Sequence, residues 1–390
     1  MGDHETIIAR TADSIDAVDA DAWDACANPG GPVACNPFLR HAFLKSLEAS
    51  GSATAQTGWQ PYHIIVEDGR GGIAGCAPAY LKGHSAGEYV FDHAWADAWE
   101  RAGGRYYPKL QVCVPFTPAT GRRLLTREGP HARAVEDQLA AALVEITTSL
   151  DLSSCHLTFL PEDQWQRLGE LGFLLRTDQQ FHWQDEGYGD FDGFLAALAS
   201  RKRKNLKKER ARAVEDGIEI EWVTGTAITE DHWDAFFTFY VDTGSRKWGQ
   251  PYLTRTFFSM VGEAMPEDIL LVMAKRNGRY IAGALNFIGS HTLFGRYWGC
   301  IEHHEFLHFE VCYYQAIEFA LSRGIPRVEA GAQGAHKLAR GYVPCLTHSA
   351  HFIPNPSFRD AVARYLEAER EHVAADANIL RGHAPFRKAD

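Results

Sequence analysis

An internal repeat is the feature of this 390-residue sequence that most restricts its fold. Three pairs of similar segments recur in the same order, at offsets of 210, 214 and 208 residues. The pairs are DAWDA (21–25) with DHWDA (231–235), PFLRHAFL (37–44) with PYLTRTFF (251–258), and IIVEDGRGGIAG (64–75) with VMAKRNGRYIAG (272–283). Matches in a constant order at a nearly constant spacing indicate a duplicated unit. The sequence therefore predicts two domains, over residues 1–180 and 181–390.

Each copy shows the same predicted order of elements. Two helices are followed by a β-hairpin, whose turn is rich in Gly, Asn or Asp. A further strand is predicted in each copy, EYVFDHAW (88–95) in the first and TLFGRYWG (292–299) in the second. In the second copy a helix over about 308–323 ends at Gly324, and a strand lies around Val328. This order predicts an α/β fold with mixed sheets.

One basic segment stands out in an acidic chain. The formal net charge is −11 at pH 7, whereas residues 201–212 (RKRKNLKKERAR) contain eight basic residues and one acid. Apolar residues from Phe191 to Val214 keep roughly helical spacing, and Gly217 ends the pattern, so one long helix with exposed charges is predicted. The acidic remainder argues against DNA binding. The basic segment can instead bind one anionic ligand, such as a phosphate.

Cysteine usage and hydropathy predict the compartment. The eight cysteines are scattered and form no C-x-x-C pair, which is typical of reduced thiols in a cytoplasmic protein. No stretch approaches the roughly 18 consecutive apolar residues of a membrane span. The first twenty residues are acidic and lack an apolar core, which argues against a secretory signal.

A short histidine motif provides an alternative function. His304, Glu305 and His308 match H-E-x-x-H, which on a helix places two imidazoles on one face to bind zinc, with the glutamate as general base. Glu329 is a candidate third ligand. The segment lies where a predicted strand passes into a helix, so its context differs from that of a zinc enzyme. A zinc-dependent hydrolase stays an alternative, although no metal is expected.

Five stretches together resemble a known family. They are residues 87–121, 201–221, 247–258, 295–325 and 329–344. In these stretches the chain resembles the FemAB-like branch of the GNAT acyltransferase superfamily, grouped under peptidoglycan biosynthesis/recognition. The resemblance implies tandem GNAT-like domains that transfer an acyl or aminoacyl group from a thioester or tRNA ester to an amine. It departs in two places. The Gln/Arg-x-x-Gly-x-Gly/Ala motif for the coenzyme A pyrophosphate is absent between Gly299 and Phe309, and position 335 is Ala where the resemblance implies Glu.

The resemblance also implies substrates. Acyl-CoA or aminoacyl-tRNA would serve as co-substrate, with no tightly bound cofactor. The acceptor would be the amine of a small molecule or of a cell-wall precursor, and tRNA is an expected partner if it carries the donor. A GNAT-like module that binds such a ligand without catalysis is the remaining alternative. The sequence does not indicate the oligomeric state.

Site residues are assigned by the same resemblance. Amide formation needs a base, because the attacking amine must be neutral. Glu310 is the first candidate base and His336 the second. Tyr297 and Tyr342 are candidates to protonate the leaving group.

Ligand-binding residues are expected in two regions. Cations beside the Gly-rich loop and on the basic helix are candidates to bind donor phosphates. These are Lys337, Arg340, Arg201, Lys202 and Lys204. A polar and aromatic group in the first domain is expected to form an acceptor pocket. It consists of Asp92, Trp95, Tyr106, Tyr107 and Lys109.

Overall fold

A computed structural model describes residues 8–247, 251–331 and 335–387. The chain forms two compact units. The first comprises Met1–Asp178 and Leu346–Ala375, and the second comprises Gln179–Cys345 and Asp376–Asp390. The division predicted from the repeat, 1–180 and 181–390, differs in the segment Leu346–Ala375, which returns to the first unit.

The elements of the first unit begin with a strand and two helices. In chain order they are β1 (Ile8–Ala12), α1 (Ala20–Ala27), α2 (His41–Ala49), β2 (Trp59–Pro61), β3 (His63–Glu67), β4 (Ile73–Ala77), β5 (Ala79–Lys82), α3 (His93–Arg101), β6 (Lys109–Val112), β7 (Leu125–Thr126), α4 (Ala132–Ser149), β8 (Cys155–Leu160), α5 (Glu162–Glu170) and β9 (Leu174–Gln184). Strand β9 continues from the first unit into the second.

The second unit begins with the basic segment. Its elements are α6 (Phe191–Ala197), α7 (Ser200–Ala213), β10 (Ile218–Thr224), α8 (Glu230–Lys247), α9 (Arg255–Ala264), β11 (Ile269–Arg276), β12 (Arg279–Ile288), β13 (Leu293–Cys300), α10 (Leu307–Phe309), α11 (Gln315–Arg323) and β14 (Arg327–Glu329). A π-helical turn, Glu310–Tyr314, joins α10 to α11. The last two elements, β15 (Val343–Phe352) and α12 (Pro356–Arg381), each belong partly to both units.

The first unit contains two sheets. One has the order β1-β3-β4-β7, and the other contains β15-β8-β6-β5-β2. Strands β6 and β8 are parallel and are connected through α4, whereas β5 is antiparallel to β6. Buried side chains of β3, β6, β8 and α4 form one apolar core.

The second unit is built on a sheet with the order β10-β11-β12-β13-β14-β9. Strands β13 and β14 are parallel and are connected through α10 and α11. Helix α8 packs directly on β13 because the strand carries Gly299, where a Cβ atom would lie 2.1 Å from the main-chain oxygen of Phe239. In β11 the run from Ile269 to Ala274 is fully buried, as its continuous apolar sequence predicts.

The repeated sequence segments occupy corresponding elements. DAWDA lies on α1 and DHWDA on α8, while the two glycine-containing repeats form the hairpins β3–β4 and β11–β12. The predicted strand TLFGRYWG is confirmed as β13, and the helix after it ends at Gly324, whose φ is +66°.

Two predictions of local structure are wrong. EYVFDHAW forms no strand, because the segment before α3 bends through Gly87 and Tyr89, which have positive φ. The predicted long basic helix is broken into α6 and α7 at Leu198, which forms a β-bridge with Phe386. Among the described residues, no helix is long and apolar enough to cross a membrane.

Candidate active site

The second unit opens where its two parallel strands separate. Strands β13 and β14 pair at only two positions, Leu293 with Val328 and Phe294 with Glu329. Strand β14 ends there, while β13 continues to Cys300. Just beyond the last pair, β13 has a bulge at Arg296, because Gly295 and Tyr297 face consecutive residues of β12. In α/β sheets, ligands bind outside the carboxyl ends of strands at such openings.

A buried carboxyl group marks the end of β14. The Glu329 side chain is buried, and burial raises its pKa to about 7, although Arg327 and Arg296 act in the opposite direction. Its cross-strand neighbour on β9 is His182, whose Nδ1 lies 3.9 Å from Glu329 Oε1. Burial lowers the pKa of His182 to about 3, so the imidazole is neutral. Glu329 Oε2 and His182 Nδ1 accept no hydrogen bond within the described parts of the chain.

Lys337 lies close to the same strand end. It belongs to the 3-10 helix Ala335–Arg340, and its ammonium donates to the main-chain oxygen of Gly331 over 2.8 Å. Burial lowers the pKa of Lys337 to about 8, and Arg296 adds to this effect. A buried lysine with a lowered pKa at a strand end is a functional-site candidate.

Arg340 is held by protein groups. Its guanidinium donates to Glu209 Oε2 over 2.9 Å and to the main-chain oxygen of His336 over 2.8 Å. It also lies over the ring of Phe309, 3.3 Å from the centroid. These contacts link α7, α10 and the 3-10 helix, so they favour a positioning role over phosphate binding.

Glu310 is likewise engaged in an ion pair. Its carboxylate, 3% exposed, accepts hydrogen bonds from Arg210 over 2.7 and 2.9 Å and from Gln315 over 2.7 Å. Arg210 also donates to Glu318 over 2.8 Å. Protonation of Glu310 would break a charge-assisted pair. The arrangement therefore favours a role in fixing α7 against the π-helical turn.

The other three predicted catalytic side chains differ in exposure. His336 is exposed, and its Nε2 lies 2.8 Å from the hydroxyl of Tyr313. Tyr342 is fully buried, and burial raises its pKa well above the ordinary value. Tyr297 follows the bulge in β13, and burial raises its pKa as well. Both tyrosines are therefore protonated at neutral pH.

The cations of the basic helix α7 differ between its two ends. Arg210 and Arg212 form ion pairs with Glu310 and Glu305. The predicted phosphate ligands lie in the first turns of α7 and form no ion pair with a described residue. They are Arg201, Lys202 and Lys204. No side chain caps the helix there, and cations oppose the helix dipole.

A cavity of about 340 Å³ lies at the end of β13. Its lining residues are Thr243, Trp298, Cys300, Glu302, His303, His304, Leu307 and His308. The cavity contains the histidines of the H-E-x-x-H motif, and it opens beside the start of α10.

The motif does not form the helix that a zinc site of this type requires. His304 pairs with Asp216 and Glu302 at 3.0 Å, and Glu305 pairs with Arg212. Helix α10 begins only at Leu307, after a left-handed residue. Within residues 8–247, 251–331 and 335–387, no three His, Cys, Asp or Glu side chains are arranged to hold a metal. The geometry thus does not favour the zinc-hydrolase alternative.

In the first unit, the predicted acceptor group is brought together but enclosed. Lys109 donates to Glu88 over 2.7 Å, to Ser85 over 2.8 Å and to Asp92, and Tyr106 donates to Asp92 over 2.7 Å. Burial lowers the pKa of Lys109, but the two carboxylates raise it overall.

The edges of this group differ in exposure. Trp95 is buried against the ring of His351, with centroids 5.0 Å apart. Tyr107 is only partly buried, and its hydroxyl lies 2.8 Å from Ser85 Oγ. The group is therefore an internal ion network with one partly exposed edge.

The sequence does not predict that Glu329 on β14 and His182 on β9 lie side by side. The sequence suggests Glu329 only as a further zinc ligand, although a glutamate at a strand end before a Gly-rich loop is a recognisable signal. His182 gives no signal, because it lies on β9, far from Glu329 in the sequence.

The comparisons with known proteins agree with this fold. The FemAB-like family model, described as peptidoglycan biosynthesis/recognition, matches residues 14–388. The structure of FemX is similar at 12% identity and a TM-score of 0.55, over 91% of this chain and 100% of its own. The C-terminal domain of a putative lysylphosphatidylglycerol synthetase from Agrobacterium fabrum is similar at 8% identity and a TM-score of 0.52, over 91% and 97%.

A tandem GNAT protein from the clavulanic acid biosynthesis pathway is also similar, at 13% identity and a TM-score of 0.49, over 90% of this chain and 99% of its own. A comparison with curated proteins finds no match. The predicted α/β fold with mixed sheets is confirmed. The family match indicates an acyl- or aminoacyltransferase.

Proposed function

The chain belongs to the FemAB-like family of peptidoglycan biosynthesis/recognition, and we propose that it transfers an acyl or aminoacyl group to an amine at the separated ends of β13 and β14. The donor is a thioester, such as acyl-CoA, or the ester of an aminoacyl-tRNA. The acceptor is the amine of a small molecule or of a cell-wall precursor.

The observation that carries this proposal is the buried carboxyl group of Glu329 at the strand opening. A general base works best when its pKa is near the working pH. Burial brings the pKa of Glu329 to about 7, and the residue pairs with Phe294, two positions before the bulge of β13. We therefore assign Glu329 as the base. Glu310 and Arg340, which are held in ion pairs, are assigned as positioning residues.

Acyl transfer also requires donors for the negative charge that forms on the carbonyl oxygen. The bulge at Arg296 takes one main-chain position of β13 out of the ladder with β12. Lys337 supplies a buried ammonium near the same strand end. Main-chain N–H groups at the bulge and this ammonium are assigned to the developing oxyanion. His336, Tyr297 and Tyr342 remain candidates to protonate the leaving group.

The cations in the first turns of α7 are assigned to phosphate groups of the donor. Arg201, Lys202 and Lys204 form no ion pair among the described residues. Phosphate groups of a nucleotide or an RNA strand would be attracted to this cluster of charges. In the first unit, Asp92, Trp95, Tyr106 and Lys109 are assigned to fixing the segment before α3, and Tyr107 is the member that could reach a ligand.

The test is a donor and acceptor panel with a matched variant pair. Acetyl-CoA, longer acyl-CoAs and aminoacyl-tRNA are each supplied with a set of primary amines, and product is followed by mass spectrometry. We expect Glu329→Gln to lower kcat by about 10²–10⁴-fold. The exposed control Glu219→Gln should keep the wild-type rate. An unchanged rate in Glu329→Gln would remove Glu329 as base, and binding without turnover for every donor would favour a non-catalytic module.

A further inference from the structure

Two hydrogen-bond acceptors face each other beside the proposed base. His182 on β9 and Glu329 on β14 are direct cross-strand partners, so their side chains leave the sheet on the same face. The two side chains are 2% and 5% exposed. His182 Nδ1 lies 3.9 Å from Glu329 Oε1, which is too long for a direct hydrogen bond.

One contact of His182 favours the tautomer that carries its proton on Nε2. Its Nε2 lies 3.2 Å from Gln180 Oε1, which is an acceptor, so the proton is placed on Nε2. Nδ1 therefore presents a lone pair toward the carboxylate. Neither Nδ1 nor Glu329 Oε2 receives a hydrogen bond from the described residues. Nδ1 lies 3.9 Å from the other carboxylate oxygen, Oε1. Buried acceptors are normally paired with a donor, and a donor with at least two N–H or O–H groups between the imidazole and the carboxylate would pair with both side chains.

We propose that His182 and Glu329 form the subsite that binds the acceptor, and that it selects a primary amine. A nitrogen about 2.9 Å from both acceptor atoms spans the 3.9 Å gap and gives one N–H to each. A hydroxyl has one donor and satisfies only one of them, and a quaternary ammonium has none. This inference rests on the proposed function for its reaction, but the amine-binding step stands independently.

Nearby cations help this subsite to produce a nucleophile. Arg327 and Lys337 act electrostatically on His182, and Arg327 and Arg296 act on Glu329. Positive charges around a bound amine favour its neutral form over its ammonium form.

The transfer step conserves protons and electrons. Glu329 takes one proton from the ammonium and releases it to solvent. The neutral nitrogen attacks the acyl carbon, the C–N bond forms, and the C–S or C–O bond breaks. Glu329 takes the second N–H proton, while the leaving-group acid, His336, Tyr297 or Tyr342, gives one proton to the departing sulfur or oxygen. Proton exchange with solvent then restores both groups.

The binding test uses the full chain with ¹⁵N-labelled histidine and methylamine as the probe. His182→Asn identifies the His182 resonances by their disappearance. We expect methylamine to shift the Nδ1 resonance of His182 saturably toward that of a hydrogen-bonded nitrogen. Tetramethylammonium, which has the charge without N–H groups, and methanol, which has one donor, should leave it unchanged. An equal shift from either control, or no saturable shift with methylamine, would overturn the subsite.

A kinetic test distinguishes recognition from structure. His182→Asn keeps an acceptor atom near the position of Nδ1, so the KM for the amine should stay within about threefold. His182→Phe removes that acceptor, and the removal of one buried hydrogen bond should raise the amine KM about tenfold with the donor KM unchanged. The exposed His291→Phe serves as control. Equal amine KM values for Phe and Asn variants would overturn the proposal.

The two proposals fail in different ways. If no donor gives turnover while methylamine still binds saturably at His182, the proposed transfer reaction is wrong and the amine subsite stands. If turnover depends on Glu329 but methylamine does not perturb His182, the reaction stands and the acceptor binds elsewhere. Because the methylamine titration uses the wild-type chain, it tests the amine subsite even if the His182→Phe variant is unstable.

Discussion

The two units contain the same parallel strand–helix–strand connection, but they treat its carboxyl end differently. In the first unit, β6 and β8 pair in parallel across α4, and in the second unit β13 and β14 pair in parallel across α10 and α11. In the second unit the strands separate beside Glu329. In the first unit the corresponding end is filled by Arg123, which is 1% exposed.

Arg123 closes that end with hydrogen bonds to the main chain. Its guanidinium donates over 2.9 Å to the carbonyl oxygens of Ala119, Gly121 and Thr158. Gln164 accepts from the Arg123 main-chain N–H over 3.0 Å. The segment after β6 is thereby tied to β8. The duplicated scaffold determines where an opening can form, and a few side chains decide whether it does.

The charges of the first unit lie at the opposite end of its parallel pair. Lys109 begins β6, and its ion network with Glu88 and Asp92 sits at the amino end of the strands. The second unit instead places its unusual acid and base groups at the carboxyl end. This contrast predicts that substitutions in the first unit act mainly on stability and those in the second on turnover.

The largest effect on stability is expected for Lys109→Met. The change leaves Glu88 and Asp92 buried without their shared cation, and breaking a buried pair in this way costs about 3–5 kcal/mol. Urea unfolding followed by circular dichroism measures the decrease. Lys275→Met is the matched control, because Lys275 pairs with Glu221 near the surface and should cost only about 0–1 kcal/mol. Equal decreases for the two variants would contradict an energetically important network.

A pH-dependent effect of similar size is expected in the second unit. The pKa of Glu329 is about 7 in the folded chain against 4.5 as its ordinary value, so the folded state binds this proton more tightly. The contribution of Glu329 to the free energy of unfolding should therefore be fully present below about pH 4.5 and should be lost, by on the order of 3 kcal/mol, as the pH rises through 7. Glu329→Gln should lack this decline.

The measurement is the difference in unfolding free energy between wild type and Glu329→Gln across this pH range. A constant difference would show that Glu329 does not titrate near neutrality. In the same range the wild-type rate should rise with pH as the base loses its proton, which is opposite in sign to the stability change. The opposite signs separate the catalytic role from a purely structural one.

An intermediate effect is expected for Arg123→Met. The substitution removes the Arg123 donors of four main-chain carbonyl groups, which should cost about 1–3 kcal/mol and loosen the segment after β6. Hydrogen exchange in residues 113–124 should increase. Arg127→Met is the control, because Arg127 is exposed and donates to the main-chain oxygen of Ile73. Unchanged exchange in the Arg123 variant would remove the proposed reason for the difference between the units.

The helices, hairpins and strands are predictable from the sequence because local residue patterns determine them. The repeat locates corresponding helices and hairpins, and alternating and continuous apolar runs locate β11 and β13. The prediction fails where a contact with a residue far away in the sequence determines the backbone conformation. The break at Leu198 depends on a bridge to Phe386, and the bend before α3 depends on the buried ion network of Asp92 and Lys109.

The candidate site is predictable only in part for the same reason. The basic segment and the polar group around Asp92 are visible as compositions. The engagement of Glu310 by Arg210, and the pairing of His182 with Glu329, join residues far apart in the sequence. No spacing rule relates such residues, so the identity of the base can be proposed only after the strands are placed.

The smallest effect is expected in the first turns of α7. Neutralising Arg201, Lys202 and Lys204 together to Gln should leave kcat unchanged and raise the KM for a phosphate-bearing donor, by a few-fold for each cation that binds a phosphate. The salt dependence of that KM should also become shallower, because fewer counterions are displaced on binding. Stability should not fall, since these cations lie at the amino end of a helix, where positive charge is unfavourable.

The control for this variant is Arg279→Gln, an exposed cation at the start of β12 in the same unit. It should keep the wild-type donor KM and salt slope, because it lies on a hairpin away from α7 in the chain. If the triple variant also kept both values, α7 would not contact the donor. The second unit would then recognise the donor through the opening of β13 and β14 alone, and the contrast with the closed end of the first unit would rest on that opening.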